Sequence, residues 1–115
     1  ELPFVTIDEF TSKDLDQAVF VEQTATGHVV HYAIADASHY VKPGRPLYIE
    51  ALARGASYYL PGLVIPMLPK VLSEDLVSIK PDVDRRALVW STPIDAEGRL
   101  GAFEVVPEQL VLEGL

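Results

Sequence analysis
Asp8, Asp14 and Asp16 share one stretch, "TIDEFTSKDLDQAV" (6–19), whose other residues read as strand and turn. Carboxylates this close repel one another and raise each other's pKa unless a cation compensates. In extended chain Asp14 and Asp16 project from one face and Leu15 from the other. Leu15 can therefore seat in a core while its neighbours point outward. Asp8, at a strand end, can converge on them from across the turn. Three readings fit. The aspartates are turn and solvent residues, which loops favour; they hold a cation that only steadies the loop; or they form a catalytic metal site. Oxygen-only ligands suit Mg²⁺ or Mn²⁺ better than zinc or copper. The spacing is not that of a calcium EF-hand loop, which has more oxygen ligands and a central glycine.

The elements that would position these residues are mostly β. "PFVTI" (3–7) reads as a short strand and 8–17 as a polar connection. "AVFVEQT" (18–24) and "HVVHYAIAD" (28–36) predict a hairpin about "ATG". The second run is apolar on both faces, as in a central strand. "KPGRP" (42–46) is a turn whose Pro46 can open a helix over 47–56, "LYIEALARGA", with Gly55 as its stop. "SYYLPGLVIPMLP" (57–69) holds three prolines and predicts an extended, rigid, apolar loop. "SEDLVSI" (73–79) predicts one helical turn capped by Ser73. "RRALVWSTPID" (85–95) and "LGAFEVVPEQLVL" (100–112) predict strands joined by the hairpin "AEGR". The class is α+β, mostly strands and hairpins with one main helix.

Composition limits the function. In 115 residues, 49% are hydrophobic, which is enough for a core and excludes a disordered tail. No run approaches the roughly 18 apolar residues of a membrane span, and the start shows no signal peptide. The absence of cysteine excludes disulfides, thiolate catalysis and cysteine-bound zinc, and fits a reducing compartment. Seventeen acidic against nine basic residues give a formal charge of −8. The basic footprint of a nucleic-acid binder is absent, unless cations cancel the carboxylates or basic surface lies elsewhere in a longer parent. The two ends, "ELPF" and "EVVPEQLVLEGL", read as those of an excerpt.

Three long motifs, "FVTIDEFTSKDLDQAVF", "YAIADASHYVKPG" and "YYLPGLVIPMLPKVLSEDLVSI", resemble in order and spacing the ribonuclease II (RNB) family of exoribonucleases. Together they cover most of the chain. The resemblance implies that residues 1–115 are the N-terminal portion of an RNB catalytic domain. It implies a cytoplasmic, Mg²⁺-dependent hydrolase, with Mn²⁺ as an alternative, that degrades single-stranded RNA from 3′ to 5′ and releases nucleoside 5′-monophosphates. Asp8, Asp14 and Asp16 then line the catalytic centre. Asp8 and Asp14 bind metal; Asp16 binds metal or orients the attacking water. The family's fourth acidic position falls on Gln17, a neutral and weaker ligand. Tyr59, before "LPG", matches an aromatic that stacks on the terminal nucleotides. A catalytic arginine and a second aromatic belong to later parts of the family's domain. The partners implied are RNA, the remainder of the RNB domain and flanking OB-type domains, and the fragment alone is expected to be inactive.

Other residues carry plainer expectations. His28, His31 and His39 lack the spacing of a zinc site, and His31 reads as a satisfied strand residue. Asp36 reads as a structural cap or pairing group, Arg85 and Arg86 as surface ion-pair partners, and Trp90 as core. Two rival functions stand beside the nuclease: an RNB-fold module for RNA binding or assembly that has lost metal through Gln17, and a β-rich interaction domain whose carboxylates are a solvated face.

Overall fold
Val, Phe and Thr in "QAVFVEQT" and Val, Ile and Tyr in "GHVVHYAIA" favour extended backbone. In the computed structural model, which describes residues 2–112, they form β1 (Gln17–Thr24) and β2 (Gly27–Ala35). β1 and β2 pair antiparallel from Gln17 opposite Ile34 to Thr24 opposite Gly27. Glycine is required at 27, because a Cβ there would lie 2.1 Å from the Ile94 carbonyl oxygen. β5 (Asp84–Asp95) runs along the other side of β2, and β6 (Glu104–Val111) closes the sheet, in the order β1-β2-β5-β6. β2 is thus central, as its two-sided apolar pattern predicts.

The core lies on one face of this sheet. Ala18, Ala33 and Ala87 present small side chains there, and Phe4, Ile79, Val89, Leu110 and Leu112 complete the cluster. Ile79 is fully buried, a side-chain burial that stabilises by about 1.5–3 kcal/mol. On the opposite face Val19, Tyr32 and Trp90 are only half-buried and Val105 is exposed. Trp90 is therefore not a core residue, contrary to expectation: strand alternation places it on the face away from Ala87 and Val89.

α1 (Pro46–Arg54) starts at Pro46 and stops at Gly55, whose φ of 74° suits glycine and whose N–H donates to the Ala51 carbonyl at 3.0 Å. Residues 57–69 are extended and apolar as expected, but the middle of the segment is paired rather than a loop. β3 (Tyr58–Leu60) and β4 (Leu63–Ile65) form a small separate hairpin. Pro61 and Gly62 take the turn, with Gly62 at φ 71°, and the later prolines fall outside both strands. The turn expected over 73–79 lies at Leu72–Leu76 and is wound wide, with the Val77 N–H donating to the Leu72 carbonyl. Ser73 does not cap it. The chain is already coiled there, since the N–H groups of Leu72 and Ser73 both donate to the Pro69 carbonyl.

"PFVTI" is a single bridge rather than a strand, with Val5 exchanging both backbone hydrogen bonds with Val19 at 2.9 and 3.0 Å. β6 begins later than the expected residue 100. Leu100 opposes Ile94, whereas Glu104 opposes Ser91, so one extra residue is absorbed between them. That is a bulge, and it delays the regular ladder.

Candidate active site
The aspartate loop is held from below by a serine. Ser78, 1% exposed, accepts a hydrogen bond from the Leu15 N–H at 3.0 Å and donates one to the Lys13 carbonyl at 2.7 Å. The Ile79 N–H donates to the Leu15 carbonyl at 2.7 Å, and the Ala35 N–H to the Asp16 carbonyl at 2.8 Å. The backbone on both sides of Asp14 and Asp16 is therefore fixed against the core. Leu15 itself is half-buried, as the alternation in the sequence requires.

Asp8 arrives by a different route. The Val5–Val19 bridge is antiparallel. It lays the segment that leads to Asp8 alongside the start of β1. Asp8, Asp16 and Gln17 line one cleft of about 160 Å³, together with Val5, Ile7, Ala18, Val19 and Tyr32. Gln17 is oriented by the Tyr32 hydroxyl, which donates to its Oε1. Asp14 is engaged elsewhere: its Oδ2 accepts from the Tyr59 hydroxyl. Tyr59 is 65% exposed, so its ring is open to a ligand rather than packed in the core.

The electrostatics follow the geometry. Partial desolvation in the cleft wall pushes the Asp16 pKa above the usual aspartate value. The charges of Asp14 and Asp8 push it the same way, and a backbone hydrogen bond within Asp16 pulls it back. The Tyr59 pKa is raised, first by its hydrogen bond to Asp14 and then by burial and the Asp14 charge. The ion pairs of the described residues tie up Glu22, Asp36, Glu50 and Asp75 and leave Asp8, Asp14 and Asp16 out.

Among the described residues no three His, Cys, Asp or Glu side chains are grouped closely enough to hold a metal ion unaided. The donor set nevertheless fits Mg²⁺, which is bound through one or two carboxylates plus waters and substrate phosphates rather than by an all-protein cage. Asp8 and Asp16 are two carboxylates on one cleft, with the Gln17 amide oxygen beside them and no lysine or arginine among its lining residues. Asp14 adds negative charge to the same place.

Ser78 and Ile79 support the aspartate loop and Tyr32 orients Gln17, three roles the sequence did not single out. The signal for Ser78 was a hydroxyl inside the apolar run "LVSI", because a buried hydroxyl must find partners. The remaining candidates are structural. His31 is buried, with Nδ1 2.8 Å from Ser91 Oγ and Nε2 2.9 Å from Glu22 Oε2, and its ring stacks on Phe20. Asp36 is buried, accepts from the Ser38 hydroxyl and lies 3.7 Å from Arg86 Nε. Arg85 donates to the Ser78 carbonyl at 3.0 Å and pairs with Asp75 at 3.5 Å. His39 packs edge-on against Tyr40.

Known proteins are similar to this chain in sequence and in fold. Ribonuclease R of Mycoplasma pneumoniae is 47% identical over 112 residues, which is 96% of this chain and 15% of that protein. Ribonuclease R of Escherichia coli is 46% identical over 105 residues, 90% of this chain and 13% of that protein. The chain thus spans about one-seventh of the length of these relatives. Among solved structures, Mycoplasma genitalium RNase R in complex with ribose-methylated single-stranded RNA superposes with a TM-score of 0.94 at 40% identity, over 98% of this chain and 18% of that one. The RNB domain family matches residues 1–107, from the Val5 bridge through the aspartate loop to the last strand, and the chain belongs to that family.

Proposed function
We propose that this chain is part of the catalytic domain of a cytoplasmic, Mg²⁺-dependent exoribonuclease that hydrolyses RNA from its 3′ end and releases nucleoside 5′-monophosphates. The observation that carries this reading is the cleft that joins Asp8 to Asp16, without a basic partner, beside an exposed tyrosine ring anchored on Asp14. Carboxylates without counter-ions are poised for cations, and an exposed ring beside them is poised for a base. The ribonuclease R relatives support the substrate class, and one of them has been solved with single-stranded RNA.

The residues divide the work. Asp8, Asp14 and Asp16 would hold Mg²⁺, with Gln17 Oε1 as a further, neutral oxygen. When bound, Mg²⁺ supplies positive charge beside the scissile phosphate and lowers the pKa of a coordinated water. Tyr59 offers its face to a base near the 3′ end, a contact worth roughly 1–3 kcal/mol and indifferent to sequence. Ser78 and Ile79 fix the height of the loop, so that Asp16 stays where a water attacking phosphorus can be oriented. Hydrolysis adds water across the last phosphodiester. The new P–O bond forms, the bond from phosphorus to the upstream 3′ oxygen breaks, and that oxygen leaves with a proton as the new 3′ hydroxyl.

The test is Asp16→Asn in the full-length protein, with turnover and affinity measured on one oligoribonucleotide. We expect hydrolysis to be lost and RNA binding retained, because shape and phosphate contacts survive while charge leaves the cleft. Unchanged turnover would remove Asp16 from the reaction. A second reading, a non-catalytic RNA-binding module, is favoured by the occupation of Gln17 Oε1 by Tyr32. It predicts RNA binding that is the same in chelator as in Mg²⁺, with no product at any Mg²⁺ concentration.

A further inference from the structure
The β3–β4 hairpin is weakly held. All six of its strand residues are exposed, and its ladder runs only from Tyr58–Ile65 to Leu60–Leu63. A two-stranded ribbon of this kind is marginal in water. At its base the Met67 N–H donates to Ser57 Oγ at 2.9 Å, and Arg54 Nη1 donates to the Pro66 carbonyl at 3.0 Å. Those bonds fasten the hairpin to its own stem and to the end of α1, but they do not aim it. The Tyr59 hydroxyl does, by reaching 45 residues back along the chain to Asp14 Oδ2. At the other end of that bond the loop is rigid, because Ser78 pins Lys13 and Leu15 on either side of Asp14.

We propose that the Tyr59 hydroxyl is a latch: its bond to Asp14 sets the position of the aromatic ring in the metal-free protein and is given up when Asp14 takes a cation. This inference rests on the reading of the aspartate loop as a cation site. An ionised carboxylate is a strong acceptor because of its charge, and a cation beside Asp14 takes up that charge. Linkage then works both ways: whatever the cation does to the bond, the bond does to the cation. Tyr59 is thus a positioning residue through its hydroxyl, separately from any stacking by its ring. The hairpin is released toward substrate only where a cation is already in place.

Tyr59→Phe separates the two roles, since it keeps the ring and removes the donor. In the full-length protein, three readouts are compared for the wild type, Tyr59→Phe and Asp14→Asn. They are Mg²⁺ affinity by calorimetry, amide hydrogen exchange over residues 58–65 in chelator and in Mg²⁺, and the length of the final product from one oligoribonucleotide. For Tyr59→Phe we expect Mg²⁺ to bind about 3–10-fold more tightly, the gain from freeing a charged acceptor of one partly exposed hydrogen bond. Exchange over 58–65 in chelator should rise to the level the wild type reaches only in Mg²⁺. Asp14→Asn should raise it too, with no further response to Mg²⁺. A final product altered in Tyr59→Phe would mean that the hydroxyl still positions the ring in the Mg²⁺-bound protein, and would overturn the latch. If the wild type binds Mg²⁺ and Tyr59→Phe shifts neither affinity nor exchange, the latch is wrong and the cation site stands. If the wild type binds no Mg²⁺ at all, the cation site falls and the proposed linkage falls with it, even where Tyr59→Phe loosens the hairpin.

Discussion
Asp16 shows what the cleft costs in the absence of a cation. Desolvation first, and then the charges of Asp14 and Asp8, raise its pKa above the usual aspartate value. The folded chain therefore keeps the Asp16 proton to higher pH than the unfolded chain does. Between the two pKa values the folded state binds more protons, so this group's contribution to stability falls as pH rises through that window. The penalty persists at neutral pH. Asp16→Asn should accordingly raise the melting temperature of the metal-free protein at neutral pH, with the gain fading as pH falls into the ordinary aspartate range. Melts in chelator from about pH 4 to about pH 8 would show it; a variant less stable than its parent at neutral pH would contradict it. Gln17 carries the opposite change. Gln17→Asp should lower the Mg²⁺ concentration for half-maximal activity, because it adds a full charge to the cleft of Asp8 and Asp16. In chelator the same charge should weaken the fold. If both the Mg²⁺ requirement and the melting temperature are unmoved, the Gln17 side chain does not act on a cation.

At the scale of elements, the loop works only because two distant segments meet. Ser78→Ala removes both hydrogen bonds to the loop and leaves the Leu15 N–H without its partner, a loss of about 1–3 kcal/mol. Ile79→Ala instead opens a cavity in the core for about 2–5 kcal/mol but keeps the backbone bond to Leu15. We therefore expect Ser78→Ala to lower kcat well below what its modest loss of melting temperature explains. Ile79→Ala should melt earlier yet turn over near normally when assayed cold. Equal kcat losses in the two variants would mean that Ser78 contributes only stability. Much of this arrangement was legible in the sequence. β-rich runs bounded by turn signals marked β1, β2 and β5, Pro46 and Gly55 bracketed α1, and Leu15 between two aspartates marked the inward anchor. What was not legible depended on partners far along the chain. Nothing local says that Ser78 lies under Lys13, that Tyr59 reaches Asp14, or that Val5 bridges Val19 while its neighbours stay unpaired. The 57–69 segment misled because its three prolines argue against helix and strand alike, until Pro61 is seen to sit in a turn beside Gly62.

At the scale of the whole molecule, the formal charge of −8 poses a question that no single residue answers. Any added salt screens mutual repulsion among the acids, within a Debye length of about 10 Å at 0.1 M. A rise in stability with Mg²⁺ is therefore not in itself a sign of a site. The distribution of charge offers a way to separate the two effects. Asp36, Asp75 and Glu50 already have arginine or lysine partners, whereas the three loop aspartates do not. General screening acts on the whole surface and is the same for any salt of matched ionic strength. Site binding acts only at the loop and follows mass action, adding about 2.7 kcal/mol when the ligand reaches a hundred times its Kd. Melting the full-length protein in Mg²⁺, and in Na⁺ at equal ionic strength, should thus give two curves. Whatever the rest of the protein does to both, the Mg²⁺ curve rises further than the Na⁺ curve. The double variant Asp14→Asn with Asp16→Asn should start higher in chelator, because repulsion at the loop is relieved, keep the Na⁺ increment, and lose the excess due to Mg²⁺. Coincident curves for the wild type would reduce the aspartate loop to a solvated acidic face. An excess that survives in the double variant would place the cation elsewhere on the molecule, and with it the chemistry assigned to this cleft.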